Sequence, residues 1–208
     1  MQDFGCLVSV YGQTAGVVRL ELMYNAKESE IGVAKRLLSA VTSTPRLGQS
    51  FAGGFSLDAL HAQVETLEFL ESQYCHYLVG LKANQKKLYE SMQQVLHHAT
   101  PLTQATHTET LHGRHTRRTV QVYAAPSGLP QRWAKAGISR VVWVKRQGMR
   151  SGKPFEQVHC YLSNWILDAT TFLELIRNHW QIENGLHACQ GCDAPGRLPS
   201  SSRGICPD

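Results

Sequence analysis

Two acidic residues of this chain have positions that suit phosphodiester chemistry. Asp58 follows a short strand-like run, and Glu183 lies in an amphipathic segment that also carries basic and aromatic residues. Functional groups in α/β sheets gather at the carboxyl ends of strands. Hard cations such as Mg²⁺ take oxygen ligands, and two of them about 3.5–4 Å apart can clamp both oxygens of an in-line phosphoryl displacement. Asp58 and Glu183 are therefore candidate catalytic and metal-binding residues.

The spacing alone leaves a second interpretation open for both acids. Asp58 can cap a helix that begins at Ala59, and Glu183 can be a solvated residue on a helix surface. An unrelated metal-dependent nuclease would need a third acid, for which Asp168 and Glu174 are weak candidates.

Side chains that can contact a DNA backbone occur in three places. The first group follows a predicted strand and comprises Lys82, Asn84, Gln85, Lys86 and Lys87. The second is a basic turn that enters a strand and contains His112, Arg114, Arg117 and Arg118. Arg177 and His179 precede Glu183 in the third. A solvated helix start and an exposed hairpin remain the alternatives for the first two groups, and Trp180 is either a stacking surface for a base or a core residue.

A zinc site is not expected. Cys189 and Cys192 form a Cys-x-x-Cys pair, with His187 before it and Cys206 after it. The second Cys or His pair that structural zinc sites use is missing.

Composition excludes several classes of protein. The 208 residues are 42% hydrophobic, which is enough for a buried core, and the net charge of +5 is compatible with a polyanionic partner. No apolar run is long enough to span a membrane, and the first residues do not resemble a secretory signal. We therefore expect a protein of the bacterial cytoplasm.

The hydrophobic patterns predict an α/β fold. Paired strands are expected at residues 6–11 and 17–23, followed by a helix at 25–41 that Ser29 can cap. A short strand at 53–58, a helix at 59–73, a strand at 74–81 and a helix to about residue 98 come next. Residues 103–163 are β-rich, with strands expected at 119–123, 140–145 and 158–162. Asp168 is expected to cap the last helix, with Phe172, Leu175, Ile176 and Trp180 on its inner face.

Four motifs, in this order, resemble those of bacterial insertion-sequence transposases of the DDE type, in the group of the H-repeat-associated proteins. They are FSLDALHAQ at 55–63, LKANQ at 81–85, HGR at 112–114 and RNHWQIENGLH at 177–187, and NAKESEI at 25–31 fits the same family. The resemblance covers roughly residues 6–187.

This resemblance implies an RNase H-like core, a mixed sheet with flanking helices, in which three acids bind two Mg²⁺ (or Mn²⁺) ions. Such enzymes cut DNA at transposon ends and join the freed 3′-hydroxyl to a target; homo-oligomerisation of an intact relative is left open. Asp58 matches the family's second aspartate, and Glu183 matches its glutamate. The implied domains are a partial core at 1–102, a β-rich insertion at 103–163 between the second aspartate and the glutamate helix, and that helix at 164–187.

The chain also departs from the family pattern. The family's first aspartate lies in an Asp-Gly-Lys strand upstream of the first hairpin, and we expect that strand to be lacking here. Thr116 stands about where the family has a glutamate after His-Gly-Arg. Residues 188–208 show no helical period, and we expect them to be a disordered tail. Codons can be chosen so that the adjacent frame continues as HVKDVMLRED, which suggests a frameshift near codons 187–188. We therefore expect a transposase fragment that is inactive by itself; a non-catalytic DNA-binding remnant is the alternative.

Overall fold

The computed structural model describes residues 6–11, 18–23, 29–42, 54–111, 114–150 and 152–190. Side chains are described for residues 29–42, 54–110, 115–149 and 152–180.

The amino-terminal part contains a hairpin and a helix, as predicted. β1 (Cys6–Tyr11) and β2 (Val18–Met23) pair antiparallel, with Cys6 opposite Met23. α1 (Glu30–Thr42) follows, and the backbone N–H of Gly32 donates to Ser29 Oγ at 3.2 Å. Ser29 therefore caps this helix as expected.

The central sheet has six described strands, whose spatial order is β3-β4-β8-β7-β6-β5. Its strands are β3 (Phe55–Leu57), β4 (Tyr77–Leu81), β5 (Thr103–Leu111), β6 (Arg114–Ala124), β7 (Arg140–Arg150) and β8 (Lys153–Ser163). β3 and β4 are parallel, and the remaining neighbours are antiparallel. Since β8 pairs with β4, the β-rich segment 103–163 continues this sheet. The division into core and insertion remains a prediction.

Helices cover both faces of the sheet. The remaining ones are α2 (Val64–Ser72), α3 (Lys86–His98) and α4 (Ala169–Gln190). One core cluster joins α1, α2 and α3 to one sheet face through residues such as Leu37, Leu67 and Leu88. The other joins α4 to the opposite face through Phe172 and Ile176. The result is a mixed α/β structure consistent with an RNase H-like transposase domain.

The predicted helix at 59–73 is wrong in its first turn. Residues Ala59–His61 form a short 3₁₀ turn, and the α-helix starts only at Val64. Leu60 in this turn is 39% exposed. The Ala62 N–H donates to the Ala59 carbonyl and closes the 3₁₀ turn, and the side chains of Asn84 and Gln85 donate to the carbonyl groups of Ala59 and Ala62.

α4 begins as predicted and ends later than predicted. The N–H and hydroxyl groups of Thr171 donate to Asp168 Oδ1 at 2.9 and 2.7 Å, so Asp168 caps the helix. The helix continues through residues 188–190, which we had assigned to the tail. The tail from residue 191, which contains Cys192 and Cys206, lies outside the described residues.

Candidate functional site

Asp58 lies directly after β3, at the carboxyl edge of the sheet. Its side chain is 62% exposed and lies 3.9 Å from the ammonium group of Lys82, measured between Oδ1 and Nζ. The same oxygen accepts a hydrogen bond from the Ala59 N–H at 2.7 Å. Asp58 therefore caps the 3₁₀ turn, and its carboxylate stays open to solvent.

Asn84 and Gln85 hold the turn that follows Asp58. Asn84 Nδ2 donates to the Ala59 carbonyl at 3.0 Å, and Gln85 Nε2 donates to the Ala62 carbonyl at 3.1 Å. Arg132 donates to Gln85 Oε1 at 2.8 Å. These two amides have a structural role that sequence reasoning missed, and their expected contact with DNA remains a prediction.

α4 approaches the same edge of the sheet. It starts beyond Ser163, which lies opposite Leu78 at the beginning of β4. By Trp180 it has reached His159, whose ring centroid lies 5.4 Å from that of the indole, level with the far end of β4. α4 therefore runs in the direction of β3 and β4, towards their carboxyl ends.

A hydrogen bond joins α4 to the strand that carries Asp58. Ser56 Oγ lies 3.0 Å from His179 Nδ1. Ser56 is two residues before Asp58, and His179 is four residues before Glu183. The backbone of Glu183 belongs to α4, and its side chain lies outside the described residues.

A cleft of about 460 Å³ lies at this edge of the sheet. Its lining includes Asp58, Lys82, His159, His179 and Trp180. The cleft thus combines one exposed carboxylate with cationic and aromatic groups, which suits a ligand that carries both phosphates and rings.

Trp180 is anchored to the sheet, in agreement with the core alternative. Its Nε1 donates to the Tyr161 hydroxyl at 3.3 Å, and the Arg146 guanidinium lies 5.9 Å from its ring centroid. Burial lowers the pKa of His159 below its ordinary value, and the positive charges of Lys82 and Arg146 lower it further. Lys82 and Arg146 therefore make the electrostatic potential around His159 positive, which favours the neutral form of this histidine.

The two adjacent arginines of the basic turn have different environments. Arg118 is bound to Glu109 of the neighbouring strand at 2.6 Å, and its side chain is only 15% exposed. Burial works to raise the pKa of Glu109, but the hydrogen bond and charge of Arg118, with the charge of Arg177, hold that pKa below its ordinary value. Arg117 is exposed on the opposite face of the sheet.

The remaining candidates for DNA contact are partly described. Lys86 and Lys87 are exposed on the first turn of α3, and Lys86 Nζ lies 4.0 Å from Glu90 Oε1. His112 lies outside the described residues, and only the strand position of Arg114 is described. The roles of all these residues stay predictions.

Within the described side chains, no group of three or more His, Cys, Asp or Glu residues is close enough to hold a metal ion. Glu183 is not among those side chains. No described helix is long and apolar enough to cross a membrane.

Besides the structural role of Asn84 and Gln85, sequence reasoning missed two residues of the site, Ser56 and His159. Ser56 could have been found by strand alternation, because it lies on the same side of the chain as Asp58 two positions on. His159 gave no local signal, since its place in the cleft depends on the pairing of β8 with β4.

Comparison with known proteins finds similarity to transposases. The chain is 25% identical over 190 residues to the protein of Escherichia coli O157:H7 named "Putative transposase YncI". The match covers 87% of this chain and 47% of that protein, so the chain spans about half the length of this relative. Residues 7–194 match the family model described as "Transposase DDE domain". The chain belongs to the family of transposase DDE domains.

Proposed function

We propose that this chain is part of an insertion-sequence transposase, whose Asp58 and Glu183 are two of the three acids used for DNA cleavage and strand transfer at element ends. The single observation that carries this proposal is the 3.0 Å contact between Ser56 Oγ and His179 Nδ1. Membership of the DDE family supports DNA as the substrate.

The contact sets a register between β3 and α4. Residues two apart on a strand point to the same side, and residues four apart on a helix share a face. α4 runs towards the carboxyl edge, so the next positions on that side and that face are Asp58 and Glu183. We therefore expect their carboxylates to converge beside the cleft, about one helical turn or 5–6 Å beyond the Ser56–His179 contact.

The donor set at this edge fits a divalent metal. Asp58 offers an exposed carboxylate, and only its Oδ1 is engaged by described residues, with Ala59 N–H and Lys82. Hard cations prefer such oxygens. A bound Mg²⁺ or Mn²⁺ would supply charge neutralisation at the attacking and leaving oxygens of a phosphodiester.

The chain's own residues would handle the DNA around that position. Lys82 lies 3.9 Å from Asp58 Oδ1 and can turn its charge to a phosphate when Asp58 binds a cation. Asn84 and Gln85 keep the turn after Asp58 in place. Lys86, Lys87 and Arg177 add positive charge along the approach.

We propose that residues 1–208 do not cleave or join DNA by themselves, and that a third acid besides Asp58 and Glu183 is needed for firm metal occupancy. A non-catalytic DNA-binding remnant is the second candidate. It is favoured by the contacts of Asp58 Oδ1 with the Ala59 N–H and Lys82, which engage that oxygen without a metal.

Manganese-induced line broadening in NMR spectra tests the proposal, because it detects weak sites. We expect Mn²⁺ to broaden amide signals of residues 58–60 and of the turn of α4 around Glu183. Asp58→Asn and Glu183→Gln should each abolish the broadening in both segments. Glu90→Gln, an exposed acid of α3, is the matched control and should change nothing at either segment. Broadening that is absent, or that survives both substitutions, would refute the metal site and leave the DNA-binding remnant.

A further inference from the structure

β5 forms an open edge of the central sheet. Among the described strands it has a neighbour on one side only, which is β6. β5 is nine residues long, or about 30 Å when extended, and every second residue directs its N–H and C=O groups away from β6. The opposite edge, β3, is only three residues long, and shortness is a common protection against pairing with another chain.

The side chains that usually protect a long edge are missing from β5. Its sequence, TQATHTETL, contains no proline, lysine or arginine. Its one acidic residue, Glu109, is bound to Arg118 of β6 at 2.6 Å, so its charge is compensated within the sheet. Exposed and half-buried residues alternate from Gln104 to Thr110. The strand therefore keeps the regular pleat that a further strand can extend.

The exposed face of β5 carries a row of polar side chains. Three contacts join this row to β6: Gln104 with Gln121 at 2.9 Å, Thr106 with Thr119 at 3.3 Å, and Thr110 with His115 at 2.8 Å. Thr108 lies in the middle of the row, and no described residue forms a hydrogen bond with its hydroxyl group. Since a hydroxyl group offers one donor and two acceptor sites, these threonines can also bond to a strand on the open side.

The sequence of β5 is complementary to itself. In an antiparallel pair of two β5 strands centred on Thr108, that residue faces Thr108 of the second copy, and Thr106 faces Thr110. On the other face of the sheet, His107 of each copy lies opposite Glu109 of the other. Threonine pairs and pairs of opposite charge are favourable across strands, and no like charges meet among these residues. A second copy of this chain therefore fits the open edge.

We propose that two copies of this chain pair antiparallel through β5, about a two-fold axis at Thr108, into one continuous sheet. Such an interface uses the same strand of both copies and leaves no open edge at β5. The contact involves neither DNA nor a metal ion, so it can be tested separately from the proposed function.

Sedimentation velocity over a range of protein concentrations tests the pairing. We expect a dimer whose fraction rises with concentration. Thr108→Lys places two like charges opposite each other at the axis and should weaken the dimer about fivefold. Gln94→Lys is the matched control, because it adds the same charge at an exposed position of α3, and it should dimerise like the unmodified chain.

Disulfide trapping tests the register and does not depend on the affinity. Thr108→Cys should form a cross-linked dimer on oxidation, beyond the level of the unmodified chain, because the Cβ atoms of directly opposite residues are about 4.5–5.5 Å apart. Thr106→Cys is the control on the same face. In the proposed register its two copies are four residue positions apart along the paired strands, or about 13 Å, which is too far for a disulfide. Far-UV circular dichroism checks that each variant is folded.

Three results would overturn the pairing. The first is an unmodified chain that stays monomeric at all concentrations, as expected if another part of the same chain covers β5. The second is a dimer that Thr108→Lys does not weaken. The third is cross-linking of Thr106→Cys to the same extent as Thr108→Cys.

Discussion

Removing the amide of Asn84 should loosen the turn that carries Asp58. Asn84→Ala deletes the 3.0 Å hydrogen bond to the Ala59 carbonyl and leaves Gln85 in place. A partly buried intramolecular hydrogen bond contributes about 0.5–1.5 kcal/mol to stability. We therefore expect the free energy of unfolding to fall by about 1 kcal/mol, with the change concentrated at the turn.

Urea unfolding and amide hydrogen exchange together measure this effect. The N–H of His61 donates to the Asp58 carbonyl at 3.0 Å, and that of Ala62 donates to the Ala59 carbonyl at 3.2 Å. Both amides should exchange faster in Asn84→Ala, whereas amides in the middle of β7 should change only by the global loss of stability. Faster local exchange follows from the lost contact, because the 3₁₀ turn then opens without global unfolding.

Gln94→Ala is the matched control, since Gln94 is an exposed amide residue on the neighbouring helix α3. It should alter neither the midpoint nor the exchange of the turn. If exchange at His61 and Ala62 is unchanged in Asn84→Ala, Asn84 does not hold the turn. The interpretation of Asn84 as a solvated residue that faces DNA would then stand.

Three further predictions follow from contacts around the site. Burial lowers the pKa of His61 and His159 below the ordinary 6.5, so the unfolded chain takes up protons before the folded chain does. The free energy of unfolding should therefore decline as pH falls below 6.5. Urea midpoints at about pH 7.5 and 5.5 check this, and His159→Phe should reduce the decline. Arg118→Ala should lower the free energy of unfolding by about 1.5–3 kcal/mol because it strands the half-buried carboxylate of Glu109, whereas a loss within about 0.5 kcal/mol in calorimetry would contradict a structural ion pair. Gly148→Ala should lower the free energy of unfolding by about 1–3 kcal/mol, because the added Cβ would overlap the His115 carbonyl and push β6 away from β7. A melting temperature equal to that of the unmodified chain would show that this close contact is dispensable.

Elements with a local signal could be predicted from the sequence. The hairpin β1–β2 follows from alternation, and α1 and α4 follow from their capping residues, Ser29 and Asp168. α3 was predicted to run to about residue 98, and it ends at His98. The strand β5 is rich in threonine and has no apolar alternation, so only the general β character of residues 103–163 could be inferred.

Features that depend on distant parts of the chain could not be predicted. The turn after Asp58 is contacted by the amides of Asn84 and Gln85, which lie more than twenty residues later. The order of strands requires the pairing of β4 with β8, and the wall that His159 contributes to the cleft exists only because of it. The proposed pairing of Asp58 with Glu183 came from their positions on a strand end and a helix and from family resemblance, and the register of Ser56 with His179 supports it.

Iron-directed cleavage of the polypeptide tests most directly whether Asp58 and Glu183 share one metal. Fe²⁺ bound in a magnesium-type site generates hydroxyl radicals with ascorbate and peroxide, and these cut the backbone near the metal. If the two acids share one metal, we expect two cuts, one beside residue 58 and one beside residue 183, which both disappear in Asp58→Asn and with excess Mg²⁺. Cuts beside only one of the two residues, or cuts that persist in Asp58→Asn, would contradict it.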